Sequence, residues 1–371
     1  MNSLTGTSTP WRGRVAKALL SLVATLLIPL AVNAAPPGYI QTNLVSDGVV
    51  PAVTIDPNLK NPWGIAFFSG MSPFWIADNG SGVATLYDGT GIPFAALPVV
   101  DIPLPSGIAP GGASTGLVAN TLAFTDVTAF PIDDTGPALF IFDTEDGTLA
   151  AWNLSNFGGP AVIVVNNSEK GAVYKGLAMG SASGQAYLYA TNFHSGKIDV
   201  FDHNYNQVTW NGAFVDPKME KGYAPFGITN IDGNLWVTYA VQDKDKHDDV
   251  SRPNHGLVDV FDTSGNFIRR FVSHNRLNSP WAVVKTPASF GALGGNILIG
   301  NFGDGRIPAY DPVTGDTKGY LRDTNGKMIS LPGLWSLVFS DAIGASPNTL
   351  YFTAGLNHEQ NGLFGSFTPE K

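Results

Sequence analysis

The chain has 371 residues, a formal charge of −9, no cysteine, 43 glycines and 26 prolines, and 14% of its residues are charged. Without cysteine, neither a disulfide framework nor a lipid-modified cysteine is available. The acidic balance argues against nucleic acid and anionic membrane as partners, since both are met with basic patches. Many glycines and prolines with few charges fit an all-β chain rich in tight turns.

Residues 1–34 read as a signal peptide. Arg12, Arg14 and Lys17 precede the apolar run 18–32, and Val32-Asn33-Ala34 sets small residues before a cut at Ala35. The run contains Pro29 and falls short of the roughly 20 residues that span a bilayer. Cleavage removes three positive charges and takes the formal charge from −9 to about −12. The expected address is periplasmic or extracellular, with residues 35–371 as one domain, monomeric and free of membrane once the leader is gone.

Residues 39–45 have strand character but precede the pattern that organises the rest. That pattern opens with Asn61-Pro62-Trp63-Gly64-Ile65. It returns as Ser114-Thr115-Gly116-Leu117, Tyr174-Lys175-Gly176-Leu177, Pro225-Phe226-Gly227-Ile228, Pro280-Trp281-Ala282-Val283 and Leu334-Trp335-Ser336-Leu337. One column (Gly64, Gly116, Gly176, Gly227, Ala282, Ser336) is always small. The next (Ile65, Leu117, Leu177, Ile228, Val283, Leu337) is always a branched aliphatic. The copies lie 52, 60, 51, 55 and 54 residues apart, a spacing typical of stacked or circular repeats. A β-propeller accounts for both columns: first strands crowd around an axis and need small residues there, while the aliphatics pack between blades.

In chain order, blade one takes residues 63–68, 74–78, 83–88 and 92–100. Blade two starts near Gly116 and adds 138–143, 148–153 and 161–165. Blade three takes 176–179, 186–192, 197–202 and 207–213; blade four 226–230, 235–239, 257–262 and 266–272. Blade five takes 281–285, 296–301, 306–311 and 316–321, and blade six 335–339, 349–353 and 362–367. Third strands end alike, in Tyr87-Asp88, Trp152-Asn153, Phe201-Asp202, Phe261-Asp262 and Tyr310-Asp311, with the acid or amide opening a turn. Blade six lacks a fourth strand, which residues 39–45 supply. The expected fold is therefore all-β: a six-bladed propeller of four-stranded antiparallel blades, closed by an N-terminal strand that completes the last blade.

First-strand beginnings and the turns between second and third strands share one face, around the tunnel mouth. One ring there is Trp63, Thr115, Lys175, Phe226, Trp281 and Trp335. A second, aligned by the glycines that close the turns, is Asp78, Asp143, Asn192 and Asn301, with Tyr239 and Ala354 in blades four and six. Two acids and two amides on an axis suit Ca²⁺, which takes six to eight oxygen ligands. Such residues also cap their own turns, and recurrence in blade after blade favours capping. The aromatics read as tunnel lining before they read as a sugar platform.

The long loop 242–255 carries Asp243, Asp245, Asp248 and Asp249 with His247 and His255. It has neither the glycine nor the closing glutamate of an EF-hand and reads first as a solvated loop, second as a metal site. Glu145, His194 and Asp304 lie on the same face, and His194 beside an acid has the make-up of a general base. Neither a phosphate loop, a zinc helix nor a nucleophile elbow is present.

Pro62-Trp63-Gly64-Ile65-Ala66, Trp75-Ile76-Ala77-Asp78 and the strand 83–88 resemble an NHL-type repeat. Thr144-Glu145-Asp146-Gly147, Tyr174-Lys175-Gly176-Leu177, Tyr239-Ala240-Val241-Gln242-Asp243, Gly300-Asn301-Phe302-Gly303-Asp304-Gly305, Gly333-Leu334-Trp335 and Thr353-Ala354-Gly355 resemble uncharacterised bacterial secreted propellers that often carry a PEP-CTERM sorting tail. That resemblance implies a fold without an assigned activity, and this chain ends at Pro369-Glu370-Lys371 without such a tail. The expected function is non-catalytic binding of a small molecule, glycan or protein at the mouth. A calcium-dependent hydrolase like the sugar lactonases is the alternative, and a structural or matrix-interaction protein the third reading.

Overall fold

The computed structural model describes residues 6–8 and 38–370, so the leader and its cut after Ala34 lie outside the described residues. Residues 38–370 form six antiparallel blades. Blade one is Pro62–Ala66, Phe74–Asp78, Val83–Tyr87 and Val99–Asp101; blade two is Ser114–Ala119, Phe140–Thr144, Thr148–Trp152 and Val162–Asn166. Blade three is Tyr174–Ala182, Gln185–Asn192, Lys197–Asp202 and Gln207–Val208; blade four is Tyr223–Ile231, Asn234–Val241, Leu257–Asp262 and Phe267–Ser273. Blade five is Pro280–Lys285, Ile297–Asn301, Pro308–Tyr310 and Thr317–Tyr320. Blade six holds Leu334–Phe339, Leu350–Gly355 and Asn361–Pro369.

The fourth strand of blade six is Tyr39–Ser46, antiparallel to Asn361–Pro369 from Tyr39 opposite Pro369 to Ser46 opposite Leu363. The ring thus closes by pairing the first and last strands among the described residues, which leaves no open edge on Asn361–Pro369. A short strand, Thr54–Ile55, adds in parallel outside it. Its two residues carry no alternation to read, so sequence pattern does not announce it.

The small column is enforced by contact between neighbouring first strands. A Cβ on Gly116 would stand 2.2 Å from the Leu177 amide nitrogen, and one on Gly227 would stand 2.1 Å from the Trp281 carbonyl oxygen. No side chain fits there without moving backbone. The aliphatic column is buried throughout. Ile65 packs with Val45, Tyr351 and Phe364 of blade six, and Leu117 packs with Trp75 and Leu86 of blade one.

Hydroxyls at the ends of second strands latch one blade to the next. Thr191 donates to the Phe226 carbonyl at 2.9 Å and Thr353 to the Trp63 carbonyl at 2.6 Å. In both cases the acceptor is the first-ring residue of the following blade, so the latch fixes how that residue enters the mouth. Where blade three gives way to a loop after Gln207–Val208, Arg270 holds the loop by pairing with Asp216 while also pairing with Asp259.

Candidate functional site

First-ring residues are delivered to the axis by six first strands and meet there as a plug. Trp63 and Trp335 stack with ring centres 3.3 Å apart, and Phe302 stacks on Trp335 at 4.1 Å. Trp281 stands edge-on to Trp63 at 6.0 Å and to Trp335 at 5.9 Å, and Phe226 lies 6.5 Å from Trp63. With rings on both faces, Trp335 is spent on packing and offers no open platform. Thr115 turns its hydroxyl to Asp143 at 2.9 Å.

Lys175 comes up the same way but carries charge into the plug. Its side chain is 2% exposed, yet it pairs with Glu145 and, at 3.1 Å, with Asp248. Its ammonium also lies 5.5 Å from the Trp63 ring and 5.9 Å from Phe193, inside cation–π range. Burial disfavours the charged form, but the two carboxylates outweigh it and hold the pKa above the ordinary lysine value. Trp281 donates its indole N–H to the Lys175 carbonyl at 2.7 Å, so ring and backbone are locked together.

Beside this pair sits a second polar group that sequence reasoning missed. Asn61, buried and at φ 45°, accepts from the Trp335 indole at 2.9 Å and donates to Glu359 at 2.8 Å and to Asn79 at 3.1 Å. Asn79 in turn donates to Glu145 at 2.8 Å, which joins the two networks. Glu359 is presented by a left-handed turn, Leu356–Glu359, in which Asn357, His358 and Glu359 have φ of 52°, 56° and 65°. Three successive non-glycine residues in that region are costly, at roughly 1–2 kcal/mol each, and such strain gathers at functional sites. Burial raises the Glu359 pKa, the Asn61 hydrogen bond opposes it, and repulsion from Glu145 adds to the rise. His358 is exposed, so His358→Gly removes strain without removing packing. It is expected to stabilise the protein by about 0.5–1 kcal/mol net of glycine's added chain entropy, read as a higher denaturation midpoint.

These groups bound a cavity of about 1010 Å³ at the tunnel mouth, lined by Trp63, Lys175, Phe226, Phe302, Trp335, Asp248, Asp249, Asp304 and Glu359. The Trp63 indole is 2% exposed and its N–H has no partner. Asp304 lies near Arg306 at 3.9 Å. Burial pushes the Asp249 carboxyl above the usual range, against hydrogen bonds that include Ser251. Of the long loop, then, Asp248 and Asp249 turn inward. Asp243 caps the loop internally by accepting from the His247 amide at 3.0 Å, and Asp245 stays exposed near Lys244. The loop is a hairpin extension, with Gln242 bridged to Asp249, and not merely a solvated segment.

The second ring does not converge on the axis, because each side chain is used inside its own blade wall. Asp78 accepts from Thr85 at 2.7 Å. Asp143 accepts from Thr115 and from the Gly116 amide. Asn192 donates to Asp199 at 2.9 Å and accepts from Ser195, and Asn301 donates to the Arg276 carbonyl at 2.7 Å. Burial drives Asp78 well above the carboxylate range and Asp143 to about 7, so neither is a ready Ca²⁺ ligand. The folded pKa of Asp143 exceeds the unfolded value of about 3.9. Its contribution is complete below that value and is lost as pH climbs to about 7. Wild-type melting temperature is therefore expected to fall between about pH 4 and 7 more steeply than that of Asp143→Asn, measured by calorimetry across the range.

Glu145, His247 and Asp248 bring one ligand atom each within 4.8 Å of one another. Two of the three already hold the Lys175 ammonium, so a metal ion would have to displace it. Three donors, one an imidazole, also fall well short of calcium's oxygen shell. His194 is exposed on its turn, and His255 has a buried ring nitrogen without a partner but does not line the cavity.

No family model matches the chain. It is 32% identical over 337 residues to the uncharacterised protein R648 of Acanthamoeba polyphaga mimivirus, covering 88% of this chain and 80% of that one. The chain belongs to the same family as R648. A second member, the uncharacterised protein L690 of the same virus, is 30% identical over 340 residues, covering 88% and 85%. Solved structures share the family's fold alone. One is a protein of unknown function from Bacteroides thetaiotaomicron, with TM-score 0.51, 11% identity, and coverage of 91% and 74%. Another is a glucose dehydrogenase, with TM-score 0.50, 11% identity, and coverage of 88% and 98%.

Proposed function

We propose that this protein binds a small molecule in the tunnel-mouth cavity and holds it without transforming it. The observation that carries the reading is the cavity of about 1010 Å³ with an ion-paired lysine and stacked tryptophans in its wall. A volume of that order accommodates a drug-sized or disaccharide-sized ligand. The polar groups nearest the axis are committed to one another, Lys175 to Glu145 and Asn61 to Glu359, which suits a rigid receptor. Rigid walls lower the ordering cost of binding.

Titration of a panel of sugars, amines and carboxylates, followed by tryptophan fluorescence and calorimetry, tests this. At least one class is expected to saturate, with Trp63, Trp281 and Trp335 as reporters. Ser251→Trp, which fills the cavity from its rim, is expected to remove that binding. Saturation that survives the substitution would overturn the reading.

The same proposal includes export. The basic and apolar make-up of residues 12–32 supports it, as does the resemblance to bacterial secreted propellers. N-terminal sequencing of protein recovered from the medium or periplasm would begin at Ala35. An intact Met1 there would contradict cleavage.

A further inference from the structure

The face opposite the mouth is a surface of another kind, and its use does not depend on the cavity. First strands start at the mouth and run away from it. Connections from first to second strands, and from third to fourth, therefore emerge on the far face. On blades six, one and two these connections hold large apolar side chains in water. Met71, Phe124, Val127 and Leu154 are 62%, 61%, 73% and 66% exposed, and Ile92 and Ile343 are exposed with them.

These side chains belong to one tract. The Ile343 amide donates to the Ser72 carbonyl at 3.0 Å and the Gly89 amide to the Ile343 carbonyl at 2.8 Å, which joins blade six to blade one. Phe124 stands edge-on against Phe68 at 5.1 Å and carries the tract to blade two. There Asn153 donates to the Thr135 hydroxyl at 3.1 Å, bringing the Leu154 turn against the connection that holds Asp133 and Asp134. The tract is also of one sign. Residues 61–169 and 328–357 contain no lysine, arginine or histidine, although the chain has 21 lysines and arginines and 6 histidines. Asp126, Asp133, Asp134 and Asp341 are exposed on the same connections. His203 of blade three borders the tract, its carbonyl accepting from the Phe130 amide at 2.8 Å.

We infer that this far face docks a second protein whose contact surface is apolar and basic. Contiguous exposed apolar surface with a polar rim marks an interaction site. Charge selects the occupant, because complementary charge steers a partner in and like charge rejects it. A second copy docked through the same face would bring the same acids against it. Anionic lipid or nucleic acid would bring more negative charge still. A segment with lysines among leucines supplies both the apolar contact and the missing cations.

The test is fluorescence anisotropy of a labelled amphipathic peptide of lysine and leucine, titrated with the purified protein near physiological salt. It is expected to bind about tenfold more tightly than a glutamate–leucine peptide of the same pattern or a lysine–serine peptide. Phe124→Ser with Leu154→Ser, both on exposed side chains, is expected to cost about tenfold in affinity, with the melting temperature showing the variant folded. Asp133→Asn with Asp134→Asn is expected to weaken binding and flatten its salt dependence. Val215→Ser with Ile268→Ser, exposed apolar positions outside the tract, is expected to change nothing. Equal binding of the glutamate–leucine peptide would overturn the charge requirement. Binding that survives Phe124→Ser with Leu154→Ser would overturn the site. No binding of the lysine–leucine peptide, a dimer that those two substitutions dissolve, or attachment to phosphatidylglycerol vesicles through them would overturn the choice of occupant.

Discussion

A chain lacking residues 39–46 is expected to lose cooperative folding. That strand pairs along its whole length with Asn361–Pro369 and buries Tyr39, Leu44 and Val45. Burial of a side chain such as Leu44 or Val45 is worth about 1.5–3 kcal/mol. Tyr39 does more than fill space: its hydroxyl donates to the Phe290 carbonyl at 3.0 Å and accepts from the Leu293 amide at 2.9 Å, pinning a blade-five loop to blade six. Together these losses rival a total stability of roughly 5–15 kcal/mol. They also bare the edge of Asn361–Pro369, an invitation to strand pairing between molecules. Size-exclusion chromatography and urea denaturation of the truncated protein should show aggregates and no sharp transition. A synthetic peptide of residues 38–47 should restore both. An unchanged denaturation midpoint without the strand would contradict the closure.

Lys175→Met carries the second large effect. The substitution keeps most of the volume but leaves Glu145, mostly buried, facing the plug without its cation. Removing one partner of a buried pair costs about 3–5 kcal/mol. Because Asp248 loses its anchor too, amide exchange in residues 242–255 should speed up, and binding in the cavity should weaken. Lys175→Met with Glu145→Gln should regain much of the stability, since the stranded charge goes with it. Loss below about 1 kcal/mol in the single variant would mean that the ammonium is solvated and the pair is worth what a surface pair is worth.

Fold and site were unequally legible, for reasons that lie in periodicity. Gly64, Gly116, Gly176 and Gly227 announce the ring because neighbouring first strands meet there and leave room only for small residues, most tightly at Gly116 and Gly227, so the repeat survives substitution elsewhere. The first ring was legible by the same token: Trp63, Lys175 and Trp335 follow the strands that Gly64, Gly176 and Ser336 align. The second ring was read too early in the turn. Asp78, Asn192 and Asn301 end their strands, Asp143 stands one residue before the end of its own, and all four turn into the blade wall. The side chains that crowd the mouth sit one or more positions further on, at Asn79, Glu145, Asp304 and Glu359. That offset has no fixed length, because each turn has its own geometry. Glu359 in particular depends on a left-handed turn: Asn357 and His358 tolerate that region better than most residues, but nothing in the sequence foretells three such residues in a row. Asn61 was visible in the opening motif, but its role as a hub exists only once blade six has come round to meet blade one.

The most direct test is a crystal structure of the protein with the panel compound that binds it most tightly. The compound is expected in the tunnel-mouth cavity against Trp335 and Phe226, with Lys175 still held by Glu145 and Asp248. A compound bound on the outer blades, or Lys175 swung out to solvent with the mouth cavity empty, would contradict the binding role of the mouth.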